Sequence, residues 1–192
     1  MTVVFLDRDG VLNENRPDHV KSWAEFRFLP GALTAVARLT HSEVRVFVIT
    51  NQAVINRRLV SVGVLEDVHR QMLREIEDHG GRILDIAYCP HRPDELCECR
   101  KPRPGLILDL AAKHRLDLRE AVVIGDALTD IEAGMAAGCR TILALTGRGR
   151  EQLKLIGDAE PKFTVATDLA AAVDLVLAGA SERRLFSPSG AR

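Results

Sequence analysis

Short apolar runs alternate along the chain with segments in which apolar residues recur at helical spacing. Apolar runs bounded by polar residues or glycine are typical of buried strands, whereas Leu65, Val68, Met72 and Ile76 repeat with the turn spacing of one helix face. The predicted strands are Val3–Leu6, Val44–Ile49, Ile83–Tyr88, Ala121–Ile124 and Thr141–Leu145. The predicted helices are Gly31–Thr40, Val64–His79, Pro104–Leu110, Ile131–Ala137 and Leu169–Leu177.

This alternation of strands and helices predicts an α/β fold. Parallel strands need crossover connections, and the helices in those connections cover both faces of the sheet. A length of 192 residues suits one domain with one hydrophobic core. We therefore expect a single Rossmann-like domain over residues 1–178, followed by a flexible C-terminal tail over residues 179–192, which is rich in Ser, Arg and Gly.

Composition and charge narrow the choice of function. The 26 Lys and Arg residues nearly balance the 27 Asp and Glu residues, and a net charge of -1 gives no general attraction to nucleic acid or to an anionic membrane. No segment reaches the roughly 18 consecutive apolar residues of a membrane span, and no basic and apolar leader precedes Asp7. The sequence therefore predicts a cytoplasmic monomer that acts on a small molecule.

Polar side chains follow the predicted strands at the points where the strands end. Asp7 and Asp9 follow the first strand, Thr50 and Asn51 end the second, and Asp126 follows the fourth. Ligands of open parallel sheets bind beyond the carboxyl ends of the strands, so these residues should converge. Converging carboxylates repel one another unless a cation lies between them, and a site of oxygen ligands suits Mg²⁺. With the ammonium of Lys101 nearby, the set favours phosphoryl transfer.

A second cluster of metal-binding residue types precedes Lys101. Two close pairs of cysteine or histidine residues flank a short loop. Together they supply enough ligands to fill a tetrahedral Zn²⁺ shell, and a shell with no open position indicates a structural rather than a catalytic zinc. Such a zinc would fix the loop that brings Arg100 and Lys101 to the phosphate. Cys139 lies apart and is interpreted as an ordinary buried residue. The predicted zinc ligands are Cys89, His91, Cys97 and Cys99.

Four segments resemble the haloacid dehalogenase (HAD) phosphatases: Asp7–Asn13 (DRDGVLN), Thr50–Gln52 (TNQ), Arg100–Pro102 (RKP) and Gly125–Asp126 (GD). The resemblance spans about residues 3–147. Because CPH and CECRKP also occur in order from Cys89, the chain most resembles the small D-glycero-D-manno-heptose 1,7-bisphosphate 7-phosphatases and the related histidinol-phosphate phosphatases.

The resemblance implies a role for each residue of the predicted site. Asp7 would be the nucleophile that forms an aspartyl-phosphate, and Asp9 would protonate the leaving alkoxide and then activate water. Asp130 would support the metal shell or orient Lys101. Mg²⁺ would be held by Asp7, the main-chain carbonyl of Asp9 and Asp126, and phosphate by Thr50, the backbone of Asn51 and Lys101.

The resemblance implies that two arginines bind the part of the substrate that does not react. No insertion is long enough for a large cap domain, so loops must contact the substrate. Arg100 offers a planar fork for a second phosphate, and Arg57 matches an arginine of the heptose enzymes. These residues favour removal of the 7-phosphate of heptose 1,7-bisphosphate, with histidinol phosphate or another small sugar phosphate as the alternative. Val54, Arg58 and Ala127 depart from the family pattern.

Other interpretations of the same residues are a phospho-accepting receiver-like module and, more weakly, a zinc-organised binding module. A receiver also combines acidic residues, Mg²⁺, Thr and Lys, but it keeps its phospho-accepting Asp after a later strand, where this chain has Thr50. Neither kind of module needs Asp9, an acidic residue placed two positions after the nucleophile where it can reach the leaving oxygen. Three histidines lack a partner at ligand spacing, and no chemistry is predicted for them: His69, His79 and His114.

Overall fold

Six parallel strands form one sheet in the computed structural model, which describes residues 2–157 and 160–186, with side chains described as far as residue 179. The strands are β1 (Val3–Leu6), β2 (Arg45–Asn51), β3 (Asp85–Cys89), β4 (Ala121–Gly125), β5 (Arg140–Ala144) and β6 (Thr164–Ala166). Their spatial order is β3-β2-β1-β4-β5-β6. The order reverses on either side of β1, so the edge beyond β1 is where a ligand is expected.

Helices connect the strands and cover the sheet on both sides. They are α1 (Ala32–His41), α2 (Val62–Asp78), α3 (Gly105–His114), α4 (Leu128–Ala136), α5 (Gly149–Lys154) and α6 (Leu169–Phe186). Every predicted strand and helix is present, with shifted ends. The prediction missed α5 and β6, and it ended α6 too early, at Leu177.

The predicted flexible tail overlaps the end of α6, and its last residues, 187–192, lie outside the described residues. Across residues 2–157 and 160–186, no helix combines the length and the apolar character needed to cross a membrane.

Two buried apolar layers sandwich the sheet, because successive strand side chains point to opposite faces. Val4 and Leu6 pack in the layer beneath α1, α2 and α6, and Val3 and Phe5 pack in the layer beneath α3 and α4. The strands are therefore buried on both faces, which explains their nearly continuous apolar sequences.

Helix α4 lies unusually close to the sheet. A Cβ on Gly134 would lie 2.6 Å from Thr141 Cγ2 and 2.9 Å from Val123 Cγ2, so only glycine fits between α4 and the strands. A Cβ on Gly125 would collide with the side chain of Asp130. These contacts place the first turn of α4 directly against the end of β4.

The strand register aligns the residues that follow the strands. Leu6 lies opposite Val48 of β2 and Ile124 of β4, so Asp7 emerges level with the end of β4 and beside the last residues of β2. The connections above this edge are loops with two short 3-10 turns, Trp23–Glu25 and Pro93–Glu95. They are too small to make a large cap domain, and the site therefore opens directly to these loops.

Candidate active site

A cleft of about 510 Å³ opens above the carboxyl ends of β1 and β2. It is lined by the predicted residues Asp7, Asp9, Thr50, Asn51, Arg57, Arg100 and Lys101. A larger cavity of about 770 Å³ lies at the opposite, amino-terminal edge of the sheet, near Arg140 and Thr164, and none of the predicted site residues lines it. The cleft at the carboxyl edge is therefore the candidate active site.

Lys101 is the buried cation at the floor of the cleft. Its Nζ lies 2.8 Å from Asp7 Oδ1 and 2.5 Å from Asp130 Oδ1, and it donates to the Ile49 carbonyl at 2.9 Å. Burial alone would lower the pKa of Lys101, but the carboxylates of Asp130 and Asp7 raise it above its usual value. Lys101 is therefore charged, and Asp130 is one of the two carboxylates that orient it.

The backbone of Lys101 is fixed as firmly as its side chain. Asn51 Nδ2 donates to the Lys101 carbonyl and Asn51 Oδ1 accepts from the Lys101 N–H, each at 3.1 Å. The Asn51 side chain thus joins the loop before α3 to the end of β2. The predicted contact of the Asn51 backbone with phosphate stays a prediction.

Three carboxylates meet at the floor of the cleft. Ligand atoms of Asp7, Asp126 and Asp130 all lie within 4.8 Å of one another. Burial raises the pKa of Asp7 to about 6 although Lys101 opposes the rise, and burial together with Asp7 raises the pKa of Asp126. Concentrated buried negative charge of this kind favours a bound cation.

Asp126 has an oxygen suited to such a cation. Its Oδ2 accepts from the Arg148 N–H at 2.8 Å and lies 3.4 Å from Asn15 Nδ2. Its buried Oδ1 has no hydrogen-bond partner among the described residues, and the nearest cation, Arg148 Nη2, is 3.6 Å away. An unpartnered carboxylate oxygen beside Asp7 fits the oxygen ligands that Mg²⁺ requires.

Asp9 projects into the cleft with both oxygens bound by neighbouring side chains. Arg8 Nη2 donates to both oxygens at 2.9 Å, Asn13 Nδ2 donates to Oδ1 at 2.9 Å and Gln52 Nε2 donates to Oδ2 at 2.8 Å. Burial raises the pKa of Asp9, but Arg8 and the hydrogen bonds together lower it below the usual value. The carboxylate is therefore ionised and fixed in orientation.

The predicted zinc ligands form one compact cluster. Three sulfur atoms lie 3.2 to 3.6 Å apart, and His91 Nδ1 lies 3.4 Å from Cys89 Sγ and 3.3 Å from Cys99 Sγ. All four cysteines are free thiols, so no disulfide accounts for this approach. Ligands about 2.3 Å from a central ion in a tetrahedron lie nearly 4 Å apart, so the cluster fits Zn²⁺ after a small expansion.

Arginines surround the mouth of the cleft. Arg100 Nη1 donates to the His91 carbonyl at 3.0 Å, which ties Arg100 to the zinc cluster. Arg57 Nη1 lies 3.0 Å from His19 Nε2, whose pKa is lowered by burial and by Arg57. Arg16 and Arg148 also line the cleft. The mouth is therefore cationic and suits an anionic substrate.

Several side chains at the site were not predicted. Gln52 belongs to a quoted motif, and its position two residues after Thr50 was an unused signal. His69 is buried behind Arg8, a contact that was not predicted, because His69 was considered only for partners at metal-ligand spacing. Asn15 and Arg148 lie in loops whose sequences carry no periodic signal.

The sheet, the strand-end carboxylates and the buried lysine together define the class of HAD-like phosphatases. The HAD-hydrolase-like family model matches residues 98–172. A D-glycero-beta-D-manno-heptose-1,7-bisphosphate 7-phosphatase of Bordetella bronchiseptica is 41% identical over 92% of this chain and 98% of its own length. The enzyme of the same name from Neisseria meningitidis serogroup A is 39% identical over 88% of this chain and 90% of its own length.

A solved structure agrees with these relatives. The crystal structure of D,D-heptose 1,7-bisphosphate phosphatase from B. bronchiseptica, complexed with magnesium and phosphate, superposes with a TM-score of 0.88 at 40% identity and covers 93% of this chain and 99% of that one. The chain belongs to the HAD-like family of D-glycero-D-manno-heptose-1,7-bisphosphate 7-phosphatases.

Removal of the buried cation should destabilise the metal-free protein in a pH-dependent way. Lys101 lowers the pKa of both Asp7 and Asp130, so Lys101→Met raises both further. A carboxyl whose folded-state pKa exceeds its unfolded value destabilises the fold increasingly as the pH rises from the unfolded pKa to the folded pKa, and fully above the folded pKa. We expect a loss of about 3–5 kcal/mol in unfolding free energy near pH 8 and a smaller loss near pH 5, measured by urea denaturation with chelator present.

Lys113→Met is the matched control, because Lys113 is 66% exposed in its ion pair with Asp85. Its loss should stay below about 1 kcal/mol at both pH values. A penalty for Lys101→Met that did not change with pH would contradict the proposed charge balance.

Proposed function

We propose that this protein is a Mg²⁺-dependent phosphomonoesterase that removes the 7-phosphate of D-glycero-β-D-manno-heptose 1,7-bisphosphate in the synthesis of nucleotide-activated heptose. The central observation is the geometry at Asp7, whose carboxylate is held by Lys101 at the floor of a cationic cleft that also holds Asp9. The β anomer is chosen because the names of both relatives above specify it.

In the first half of the proposed reaction, Asp7 attacks the phosphorus of the 7-phosphate. Asp7 is mostly ionised at neutral pH because its pKa is about 6. The Lys101 ammonium and the Thr50 hydroxyl hold the phosphate oxygens, and charge on those oxygens is stabilised as the bond to the sugar breaks. Asp9, which must take up a proton when the negatively charged phosphate binds beside it, gives that proton to the departing alkoxide, and an aspartyl-phosphate remains.

In the second half, Asp9 acts as a base. It takes a proton from a water molecule that attacks the aspartyl-phosphate, and this attack releases phosphate and restores the Asp7 carboxylate. The low pKa of Asp9 suits this step, because the base must be ionised when water arrives. The same carboxyl group therefore serves both halves, as acid and then as base.

Two metals have separate places in the proposal. Asp7, Asp126 and the main-chain carbonyl of Asp9 would hold Mg²⁺, which when bound would offset the charge of the carboxylates and of the transferring phosphoryl group. The closed cluster of three cysteines and His91 leaves no position for substrate, which supports a structural Zn²⁺.

Arg100 and Arg57 would bind the distal 1-phosphate of the bisphosphate. Both line the cleft, and a guanidinium matches a phosphate in a bidentate pair. The departures from the family pattern do not remove this charge, because none of Val54, Arg58 and Ala127 lines the cleft and two of them, Val54 and Ala127, are buried. A bisphosphate therefore fits the cationic mouth better than histidinol phosphate, which carries only one phosphate.

The alternatives of another class make a different prediction. A receiver-like module would keep its phosphoryl group and would not need a proton donor beside the nucleophile, whereas Asp9 lies in the same cleft as Asp7. Multiple turnovers with a simple phosphate ester would favour the enzyme. A monomeric state and a cytoplasmic location stay predictions.

The nucleophile can be tested with a near-isosteric change. Asp7→Asn should lower turnover by about a thousandfold or more while the protein stays folded, because an amide cannot attack phosphorus. Phosphate release and circular dichroism would be measured together. Asp109→Asn on the exposed face of α3 is the control and should keep full turnover. Wild-type turnover by Asp7→Asn, in protein free of contaminating phosphatase, would exclude the aspartyl-phosphate mechanism.

The zinc proposal predicts one Zn²⁺ per chain in protein prepared without chelator. Cys97→Ser should lower the zinc content and the activity on the bisphosphate, because a loosened loop misplaces Arg100 and Lys101, while Mg²⁺ dependence persists. Cys139→Ser, which lies outside the cluster, should keep both zinc and activity. Elemental analysis that finds no zinc in reduced wild-type protein would contradict the proposal.

The substrate is tested by comparing a heptose 1,7-bisphosphate with histidinol phosphate. We expect higher kcat/KM for the bisphosphate. One lost charge-assisted contact is worth about 1.5–3 kcal/mol, so Arg100→Ala should cost the bisphosphate roughly tenfold to a hundredfold and a small monophosphate less. Arg103→Ala in the same loop is the control. Equal losses on both substrates would place Arg100 elsewhere in the mechanism, and a native preference for histidinol phosphate would exclude the heptose assignment.

A further inference from the structure

A buried arginine lies directly behind Asp9. Arg8 is 1% exposed, and Nη2 makes the two hydrogen bonds to Asp9 described above. Nη1 lies 3.1 Å from His69 Nε2, and Nε has no hydrogen-bond partner in the part of the chain that the structure describes. A guanidinium in this position is costly to bury unless its hydrogen bonds are made. Asp9 and His69 are therefore the two side chains that hold it in place.

His69 acts toward Arg8 as a hydrogen-bond acceptor. Arginine can only donate, so Nε2 of His69 must carry the lone pair and Nδ1 must carry the proton. Burial and the Arg8 charge lower the pKa of His69 to about 3, so the ring is neutral in the working range of the protein. The ring is 7% exposed and packs edge-on against Tyr88, with centroids 5.9 Å apart.

We propose that His69 is a positioning residue: it fixes the Arg8 guanidinium, and Arg8 in turn orients the Asp9 carboxyl group toward the leaving oxygen of the substrate. The inference rests on the proposed function, because it concerns the acid that serves the first half-reaction. His69 affects the reaction only through Arg8. Their contact joins α2 to the loop that follows β1, which carries Asp7 and Asp9.

A helix face that only filled the core would not need a histidine here. The neighbouring buried residues on the same face of α2, Leu65 and Met72, are apolar. An apolar residue at position 69 would leave Arg8 Nη1 without an acceptor. The guanidinium would then be held by Asp9 alone, and only Asn13 and Gln52 would still fix the direction of the Asp9 carboxyl group independently.

Misorientation of a proton donor has a distinctive kinetic signature. An alkoxide leaving group needs a proton as the bond to phosphorus breaks, whereas a para-nitrophenolate leaves without one. The value of kcat/KM reports the steps up to departure of the leaving group and excludes the later hydrolysis of the aspartyl-phosphate. A positioning role therefore predicts a selective loss on alkyl phosphates.

The experiment compares kcat/KM for the 7-phosphate of the heptose bisphosphate, which is a primary alkyl ester, and for para-nitrophenyl phosphate. His69→Leu should lose about tenfold on the alkyl ester and less than about twofold on the aryl ester. His69→Gln offers Arg8 a carbonyl oxygen and should recover most of the loss. Met72→Leu on the same helix face is the packing control and should affect both esters alike. Circular dichroism verifies that each variant is folded at the assay temperature.

The possible outcomes separate the two proposals. Equal losses on both esters, no loss at all, or failure of His69→Gln to recover activity would overturn the positioning role while leaving the phosphatase intact. A wild-type protein that hydrolyses neither ester would overturn the proposed function, and the positioning role with it. Side-chain ¹⁵N NMR gives a check without turnover: we expect the Nδ1-protonated tautomer of His69, and a proton on Nε2 would contradict the hydrogen bond.

Discussion

The fold depends most on the buried ammonium of Lys101. Burying an unpaired lysine costs several kcal/mol, so the fold must deliver its partners accurately. Asp7 comes from the end of β1, and Asp130 comes from the first turn of α4, which can approach only because residue 125 is glycine. Asn51 at the end of β2 fixes the lysine backbone. Three separate elements are thus held to one point, and the strand register and the close packing of α4 serve that requirement.

This requirement explains why much of the site could be predicted from sequence. In a parallel sheet the carboxyl ends of the strands share one edge, so the polar residues that end apolar runs must meet there. The prediction of Asp7 and Asp126 at one place needed only the strand positions, whereas Lys101, which precedes a helix, was assigned to the phosphate with the help of the resemblance to the HAD phosphatases. The prediction of secondary structure missed β6 and α5. Thr164–Ala166 is too short to show a period, and Gly149–Lys154 is nearly all polar.

The surroundings of Asp9 could not be derived in the same way. The contact of Arg8 with His69 depends on how α2 packs behind β1, and no local pattern fixes that packing. A weaker signal was present: His69 lies four residues after Leu65 and three before Met72, on the apolar face of α2. A histidine on such a face must find a partner within the core, whereas charged residues elsewhere on the helix need only water.

Order in the loop between Cys89 and Lys101 bears differently on substrate recognition and on the chemical step. Cys89 ends β3 and Cys99 is followed at once by Arg100, so the zinc cluster sets where the chain re-enters the active site. Lys101 is also held by two carboxylates and by Asn51, and these contacts restrain it when the loop loosens. In contrast, the Arg100 side chain makes one hydrogen bond among the described residues. It donates to the carbonyl of His91, which is itself a residue of the cluster. Order in the loop should therefore govern Arg100, proposed to bind the distal phosphate, more than Lys101, proposed to bind the reacting one.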